Sequence, residues 1–277
     1  MTGVLRCGHY QLALDRPLVM GIVNVTPDSF FDGGRYADAR AAAARARRLV
    51  EEGADLVDIG GESSRPGAAP VPADEELTRV LPVLEALGGL GVPVSVDTTK
   101  PEVMREALAR GATMINDITA LAAPGAVDIV ARSDAAVCLM HMQGDPQTMQ
   151  TNPVYRDVVA EVRDFLAARA AACIAGGVGP ARIVVDPGFS FGKATEHNLR
   201  LLARLDAIAA LGYPVLVGLS RKSSLGRITG ETPDDRLPAS LTGAILAVQR
   251  GARIVRVHEV AATRNALAVL AAVERQQ

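Results

Sequence analysis

The sequence contains no tryptophan, and only 3% of its residues are aromatic. Packing must rest on Ala, Val, Leu and Ile, and stacking platforms for nucleic-acid bases are not available. Cysteine is also scarce. Cys7, Cys138 and Cys173 form no C-x-x-C pair and, being three, cannot all be bridged. Inert thiols in a reducing compartment are expected, and without a His/Cys cluster a tetrahedral zinc site is not. No segment approaches the roughly 18 apolar residues of a membrane span. The amino-terminal residues form no long apolar run either, so a cytoplasmic protein with no membrane partner is expected. Charge of one sign is missing too: 29 basic and 31 acidic residues, well mixed, leave a net charge of −2. That argues against a nucleic-acid partner.

What is present is a well-filled core, at 49% hydrophobic against 22% charged residues. The chain of 277 residues repeats one grammar about eight times: a short β-branched run, a polar residue at its end, then a helical stretch. Ile183-Val184-Val185-Asp186-Pro187-Gly188 shows it most clearly. Three β-branched residues suit a strand buried on both faces, and Pro187-Gly188 stops it. Similar runs are Val19–Asn24, Asp55–Gly60, Val94–Asp97, Thr113–Asp117, Ala136–His141, Val215–Leu219 and Arg253–His258. Helices are predicted over about 38–51, 74–87, 102–109, 155–175 and 261–274. Such alternation implies a parallel sheet with helices outside. A doubly wound sheet would carry a phosphate-binding G-x-G-x-x-G after its first strand, which is missing here. One (β/α)8 TIM barrel over residues 19–277 is expected, with a short N-terminal β-hairpin over residues 1–18 capping its floor. Long loops after the first, second and fifth barrel strands, near 25–37, 61–73 and 142–153, are candidate lids.

Strand tips of this fold converge on one mouth. The candidates there are Asn24, Asp58, Glu62, Asp97, Asn116, Asp117, His141, Asp186, Lys222, Arg256 and His258. Any one of them can be a cap or a core group; so many together need a polar ligand. Asp97, Asn116 and Asp186 suit a flat heterocycle with a guanidine-like edge, because a carboxylate takes two parallel N–H bonds. Lys222, Arg256 and His258 place positive charge beside the last two strands, where the fold often holds phosphate. The expected picture is therefore acids and amides on one side of the mouth and cations on the other. Ser220–Ser224 opens a helix, whose free N–H groups favour an anion. Asn24, a neutral oxygen ligand, suits Mg2+ shared with a substrate phosphate. Met140, Phe189 and Phe191 are core residues by composition, yet placed to wall a planar ring. His9 and His197 read as structural or solvated.

These residues resemble the dihydropteroate synthases over nearly all of residues 18–274. The matching segments are Met20–Phe30 (MGIVNVTPDSF), Gly60–Ala68 (GGESSRPGA), Val94–Thr99, Asn116-Asp117, Leu139–Gly144, Asp186–Phe189, Ser220–Lys222 and Arg256–His258. The resemblance implies a pterin pocket of Asp97, Asn116, Ile118, Met140, Asp186, Phe191, Gly218, Lys222 and Arg256. It implies a pyrophosphate site of Asn24, Arg256 and His258, with Mg2+ on Asn24 as the metal. The p-aminobenzoate site would use Phe30, Ser64, Arg65, Pro66, Lys222 and Ser223. Asp97, Asp186, Lys222, Arg256 and His258 would form the catalytic group, and the barrel is expected to pair as a homodimer through outer helices.

The implied reaction joins p-aminobenzoate to a dihydropterin methylene with loss of pyrophosphate, and pyrophosphate is expected to leave first. Three positions depart from the family's usual residues: Phe31 for a small polar residue, Ser190 for Gly and Glu259 for Asp. Rival readings are a Schiff-base aldolase using Lys222, a corrinoid-dependent methyltransferase on a pterin barrel, and a non-catalytic pterin-binding paralogue.

Overall fold

The computed structural model describes residues 3–25, 35–232 and 234–276, and the side chains of residues 35–38 fall outside that description. The expected Phe30 and Phe31 therefore lie outside the described residues. Two short strands, β1 (Val4–Cys7) and β2 (Tyr10–Ala13), form an antiparallel hairpin turning at Gly8.

The next eight strands close into a parallel barrel: β3 (Leu18–Asn24), β4 (Leu56–Gly60), β5 (Val94–Asp97), β6 (Met114–Asp117), β7 (Ala136–Met140), β8 (Ile183–Asp186), β9 (Val215–Val217) and β10 (Ala252–Val257). Between β3 and β7 stand α1 (Arg35–Glu51), α2 (Ala73–Ala86), α3 (Pro101–Ala109) and α4 (Ala126–Ala131). The long α5 (Val158–Ala175) precedes β8, and α6 (Thr195–Ala203) with α7 (Leu205–Ala209) follows it. After β9 come α8 (Ser223–Thr229) and α9 (Leu237–Gln249), and α10 (Val260–Glu274) closes the ring. The expected (β/α)8 architecture is the observed one. The pieces α4, α7 and α9 are short or featureless in hydrophobic period, and sequence pattern alone did not separate them.

Side-chain parity along the strands sorts the interior. Val19, Val57, Val96, Ile115, Val137, Val185, Val217 and Val255 face the helices and form the outer apolar shell. One residue along, Met20, Leu56, Met114, Cys138, Val184, Leu216 and Ile254 point to the axis, where Leu5, Cys7 and Leu14 of the hairpin segment join them. Cys7 also donates from Sγ to Thr113 O at 3.1 Å, and Gly8 N donates to Asp134 O at 3.0 Å. The hairpin therefore plugs the end of the barrel where strands begin. All three thiols are buried and unpaired, and burial raises each one's pKa. That leaves them poorly nucleophilic.

Candidate active site

Continuing the same parity one more step brings a second, polar layer to the axis. Asp58 of β4, Asn116 of β6, Met140 of β7, Asp186 of β8 and Arg256 of β10 each lie two residues beyond an apolar axial residue, and Asp97 of β5 lies two beyond the buried Ser95. A strand reverses face with every residue, so these point inward while their neighbours do not.

Arg256 organises this layer. Its Nε donates to Asp58 Oδ2 at 2.6 Å and an Nη donates to Asp97 Oδ2 at 3.1 Å. Asn116 Nδ2 also donates to Asp58 Oδ2, at 3.1 Å. The expected split into an acidic side and a cationic side is thus corrected: Arg256 sits between carboxylates. A guanidinium left alone in this low-dielectric interior would be costly, and three acids lie within its reach. Burial works against the Arg256 charge, but Asp58 and Asp97 outweigh it and hold its pKa above the ordinary value. Burial raises Asp97, and Arg256 draws it back. Asp186 is pushed up to about 6 by burial, opposed by the Gly188 N–H bonded to its Oδ1 at 2.7 Å and by the charge of Lys222. Lys222, half-buried just before α8, is pulled down to about 8 by burial and then by Arg256.

Lys222 Nζ stands 4.2 Å from the centroid of the Phe191 ring, a cation–π contact. Phe191 packs with Ile118, Met140 and Met149 into a small apolar cluster of its own. That gives the mouth a wall for a flat ring. Phe189, by contrast, is buried in the outer core and walls nothing.

His258 requires a correction as well. Its Nδ1 lies 2.9 Å from Ser220 Oγ, and burial, with Arg256, Arg221, Arg65 and Lys222 nearby, lowers its pKa to about 3. It is a neutral hydrogen-bonding group in the free protein, not a third cation. The charge of Arg65, an exposed residue of the 61–73 loop, adds to the lowering of both His258 and Lys222 after burial and Arg256. Pro66, also exposed, follows it, and Ser223 opens α8. Gly218 faces the axis, where an added Cβ would meet Arg256 Cβ at 3.9 Å. Asn24 ends β3 with its Oδ1 3.7 Å from the Cβ position of Gly60.

Two mouth candidates point elsewhere. Asp117 accepts from Thr119 N, Thr119 Oγ1 and Leu121 N at 2.7 to 2.8 Å and so caps its own turn. His141 meets the Phe165 ring edge-on and receives a contact from Lys193 Nζ at 2.9 Å. Each is one residue past an inward position, and that offset was the readable signal. Glu62 pairs with Lys100, which also pairs with the buried Glu76, and Glu62 Oε1 accepts from Val71 N at 2.8 Å. It anchors the 61–73 loop. Sequence reasoning missed Lys193 and Lys100 altogether; neither lies in a strand.

Above the strand tips a cavity of about 390 Å³ lies between the 61–73 and 142–147 loops. Asp97 and Ile118 line it on one side and Ser64 on another. Gly67 N donates to Pro146 O at 3.0 Å and ties the two loops together. A second cavity of about 420 Å³, between α5 and α6, lies outside the barrel and touches none of the mouth residues.

A parallel barrel whose mouth carries a carboxylate–amide ring, partly buried cations and an aromatic wall belongs to the class of barrel enzymes that bind flat polar heterocycles. The family model described as "Pterin binding enzyme" matches residues 20–258. The dihydropteroate synthase of Neisseria meningitidis serogroup C is 53% identical over 269 residues, covering 95% of each chain. That of Escherichia coli strain K12 is 48% identical, covering 95% of this chain and 93% of the other. Among solved structures, Xanthomonas albilineans dihydropteroate synthase with 4-aminobenzoic acid superposes with a TM-score of 0.93 at 54% identity, over 99% of both chains. Burkholderia cenocepacia dihydropteroate synthase complexed with 7,8-dihydropteroate gives 0.90 at 53% identity, again over 99% of both. The chain belongs to the dihydropteroate synthase family.

Proposed function

We propose that this chain condenses 6-hydroxymethyl-7,8-dihydropterin pyrophosphate with p-aminobenzoate, giving 7,8-dihydropteroate and pyrophosphate in folate synthesis. The observation that carries this reading is the inward ring of Asp97, Asn116 and Asp186 beside Arg256 and Lys222. Relatives with this reaction in their names, at about half identity over the full length, support it.

In this reading Asp186 and Asn116 meet the donor edge of the pterin, and Phe191, Ile118 and Met140 flank its ring. Arg256 stacks or bonds beside the ring and, with His258 and Asn24, faces the pyrophosphate. The p-aminobenzoate nitrogen is a weak nucleophile because its lone pair is shared with the ring. The electron-rich dihydropterin instead supports positive charge on its methylene, so departure of pyrophosphate ahead of attack is the easier order. Asp97 and Asp186 favour that cation electrostatically, while Arg256 stabilises the leaving charge. Ser64, Arg65, Pro66, Lys222 and Ser223 form the second-substrate side, with Lys222 and the start of α8 toward the carboxylate. The cavity lined by both Asp97 and Ser64 supports a continuous path between the two subsites.

Mg2+ fits Asn24 only as a largely hydrated ion shared with phosphate. Among the described residues there is no group of three His, Cys, Asp or Glu side chains able to hold a metal, and one amide oxygen is a weak ligand. When bound there it would neutralise charge on the pyrophosphate.

The chain is also proposed to act as a cytoplasmic homodimer. Leu199, Ile228, Leu237, Val269 and Val273 are exposed apolar residues on the outer helices α6, α8, α9 and α10, a surface that favours burial against a second copy. Three buried, unbridged thiols support a reducing compartment, and among the described residues no helix is long and apolar enough to cross a membrane. The decisive experiment is pyrophosphate release with both substrates present. Release with neither coupled product nor dependence on p-aminobenzoate would overturn the reading.

A further inference from the structure

The segment between β8 and α6 is bent by three left-handed residues, Gly188 at φ +68°, Ser190 at +66° and Gly192 at +62°. A Cβ on Gly188 would lie 1.9 Å from His141 O, and one on Gly192 would lie 2.3 Å from Gln143 O. Two loops are therefore pressed backbone to backbone, which only glycine permits. Ser190 lacks that freedom and is held by outside bonds: its N–H donates to Asn198 Oδ1 at 2.7 Å, and its carbonyl accepts from Gln150.

The bend turns the carbonyls of Gly188 and Phe191 toward the same point as that of His141. Three carbonyl oxygens converging inside a protein repel one another unless a donor sits between them. Lys193 supplies it. Its side chain is 1% exposed, and Nζ lies 3.0 Å from Gly188 O, 3.0 Å from Phe191 O, 3.3 Å from His141 O and 2.9 Å from His141 Nδ1. Burial lowers its pKa to about 7, Asp186 opposes that fall, and the four acceptors favour the charged form. With Nδ1 accepting, His141 is the neutral tautomer carrying its proton on Nε2.

This ammonium reaches the mouth through two short links. Phe191, whose carbonyl it holds, carries the ring beneath Lys222. Gly188, whose carbonyl it also holds, donates its N–H to Asp186. We infer that Lys193 is a positioning residue for the pterin pocket, an internal cation that clamps the Gly188–Gly192 loop and so fixes both the Phe191 wall and the Asp186 carboxylate. It touches no substrate itself. The inference rests on the pterin reading of the mouth.

The test measures calorimetric affinity for 6-hydroxymethyl-7,8-dihydropterin pyrophosphate and the KM of each substrate in Lys193→Met, which keeps length and removes charge. Pterin affinity and pterin KM are expected to worsen about tenfold or more, with the p-aminobenzoate KM within about twofold. In Lys193→Ala, added propylammonium is expected to restore part of the pterin affinity, while tetramethylammonium, too bulky for the carbonyl nest, does not. A folded Lys193→Met protein with unchanged pterin affinity overturns the inference, as does an equal loss for both substrates. Should Lys193→Met not fold, Tyr155→Phe carries the test, because Tyr155 Oη donates to Gly192 O at 2.8 Å on the same loop. It is expected to weaken pterin binding about threefold and leave p-aminobenzoate alone; no change overturns the clamp. Unmodified protein that binds the pterin without condensing it would sink the reaction and leave the Lys193 shift readable by calorimetry. Protein that binds no pterin would sink both.

Discussion

Arg256 Nε donates to Asp58 Oδ2 at 2.6 Å, joining the last strand of the barrel to the second. Asp58 is wholly buried, and its other oxygen has no partner among the described residues. Both bonds that Asp58 accepts therefore converge on Oδ2, one from Arg256 and one from Asn116. Asp97 and Asn116 complete it: the guanidinium bonds side chains from two other strands directly and reaches a third, that of Asn116, through Asp58.

Removing the Asp58 charge should accordingly cost both stability and activity. Asp58→Asn strands Arg256 with one carboxylate, and losing one partner of a buried pair costs about 3–5 kcal/mol. Arg256, its side chain 20% exposed, relaxes toward Asp97, so about 3 kcal/mol is expected. Urea titration should show a lower midpoint with an unchanged slope. Asp206→Asn is the control: it breaks the exposed Arg204–Asp206 contact at 3.7 Å, worth less than about 1 kcal/mol. Equal midpoints for the two variants would contradict the organising role of Asp58.

The raised Asp186 carboxyl makes pterin recognition pH-dependent. The donor edge of a pterin needs the ionised acid, so binding favours deprotonation. With the free Asp186 carboxyl titrating at about 6 and Asp97 at about 7, affinity should be level above about pH 8 and fall as pH drops through 7 and then 6. Below that point the loss approaches about tenfold per pH unit. Asp97, also raised by burial, acts in the same direction. Asp186→Asn should bind more weakly at neutral pH and lose the part of the slope near pH 6, keeping the part that Asp97 contributes. A dissociation constant flat from pH 5 to 8 would refute the assignment.

Much of this site could be read before any coordinates. The eight β-branched runs and their polar ends fixed the barrel and put Asp97, Asn116, Asp186 and Arg256 at one mouth. Strand parity, applied to those same runs, also separates Asn116 from Asp117 and Met140 from His141, because one residue reverses the face. The pairing of Arg256 with Asp58 was not legible: it joins residues 198 apart whose meeting depends on barrel closure and stagger. Lys193 was hidden for another reason. A lysine beyond a strand end looks solvated, and only the converging carbonyls of a left-handed loop explain its burial. Nor does sequence tell that His258 is neutral, since that follows from the cations the fold gathers around it.

Neutral His258 leads to the last expectation. Ser220 Oγ accepts from His258 N at 3.2 Å, lies 2.9 Å from its Nδ1 and donates toward Glu259 Oε2 at 3.3 Å. Glu259 in turn pairs with Arg221, whose φ of +58° is unusual for a residue with a side chain. This chain of bonds holds the imidazole plane, and among the described residues Nε2 has no hydrogen-bond partner, so it can turn to the diphosphate. An arriving polyanion would raise the low pKa of His258, so the ring takes up a proton as the substrate binds. Ser220→Ala and Glu259→Ala loosen the ring without removing it, and an outer hydrogen-bonding partner of this kind is worth about tenfold in binding or activity. The pterin pyrophosphate KM should rise by about that factor while the affinity for unphosphorylated 6-hydroxymethylpterin stays level. Proton uptake on binding, seen by calorimetry in buffers of different ionisation enthalpy, should shrink in both variants. Equal losses for the phosphorylated and unphosphorylated pterin would place Ser220 and Glu259 in the fold alone, with no hand in orienting His258.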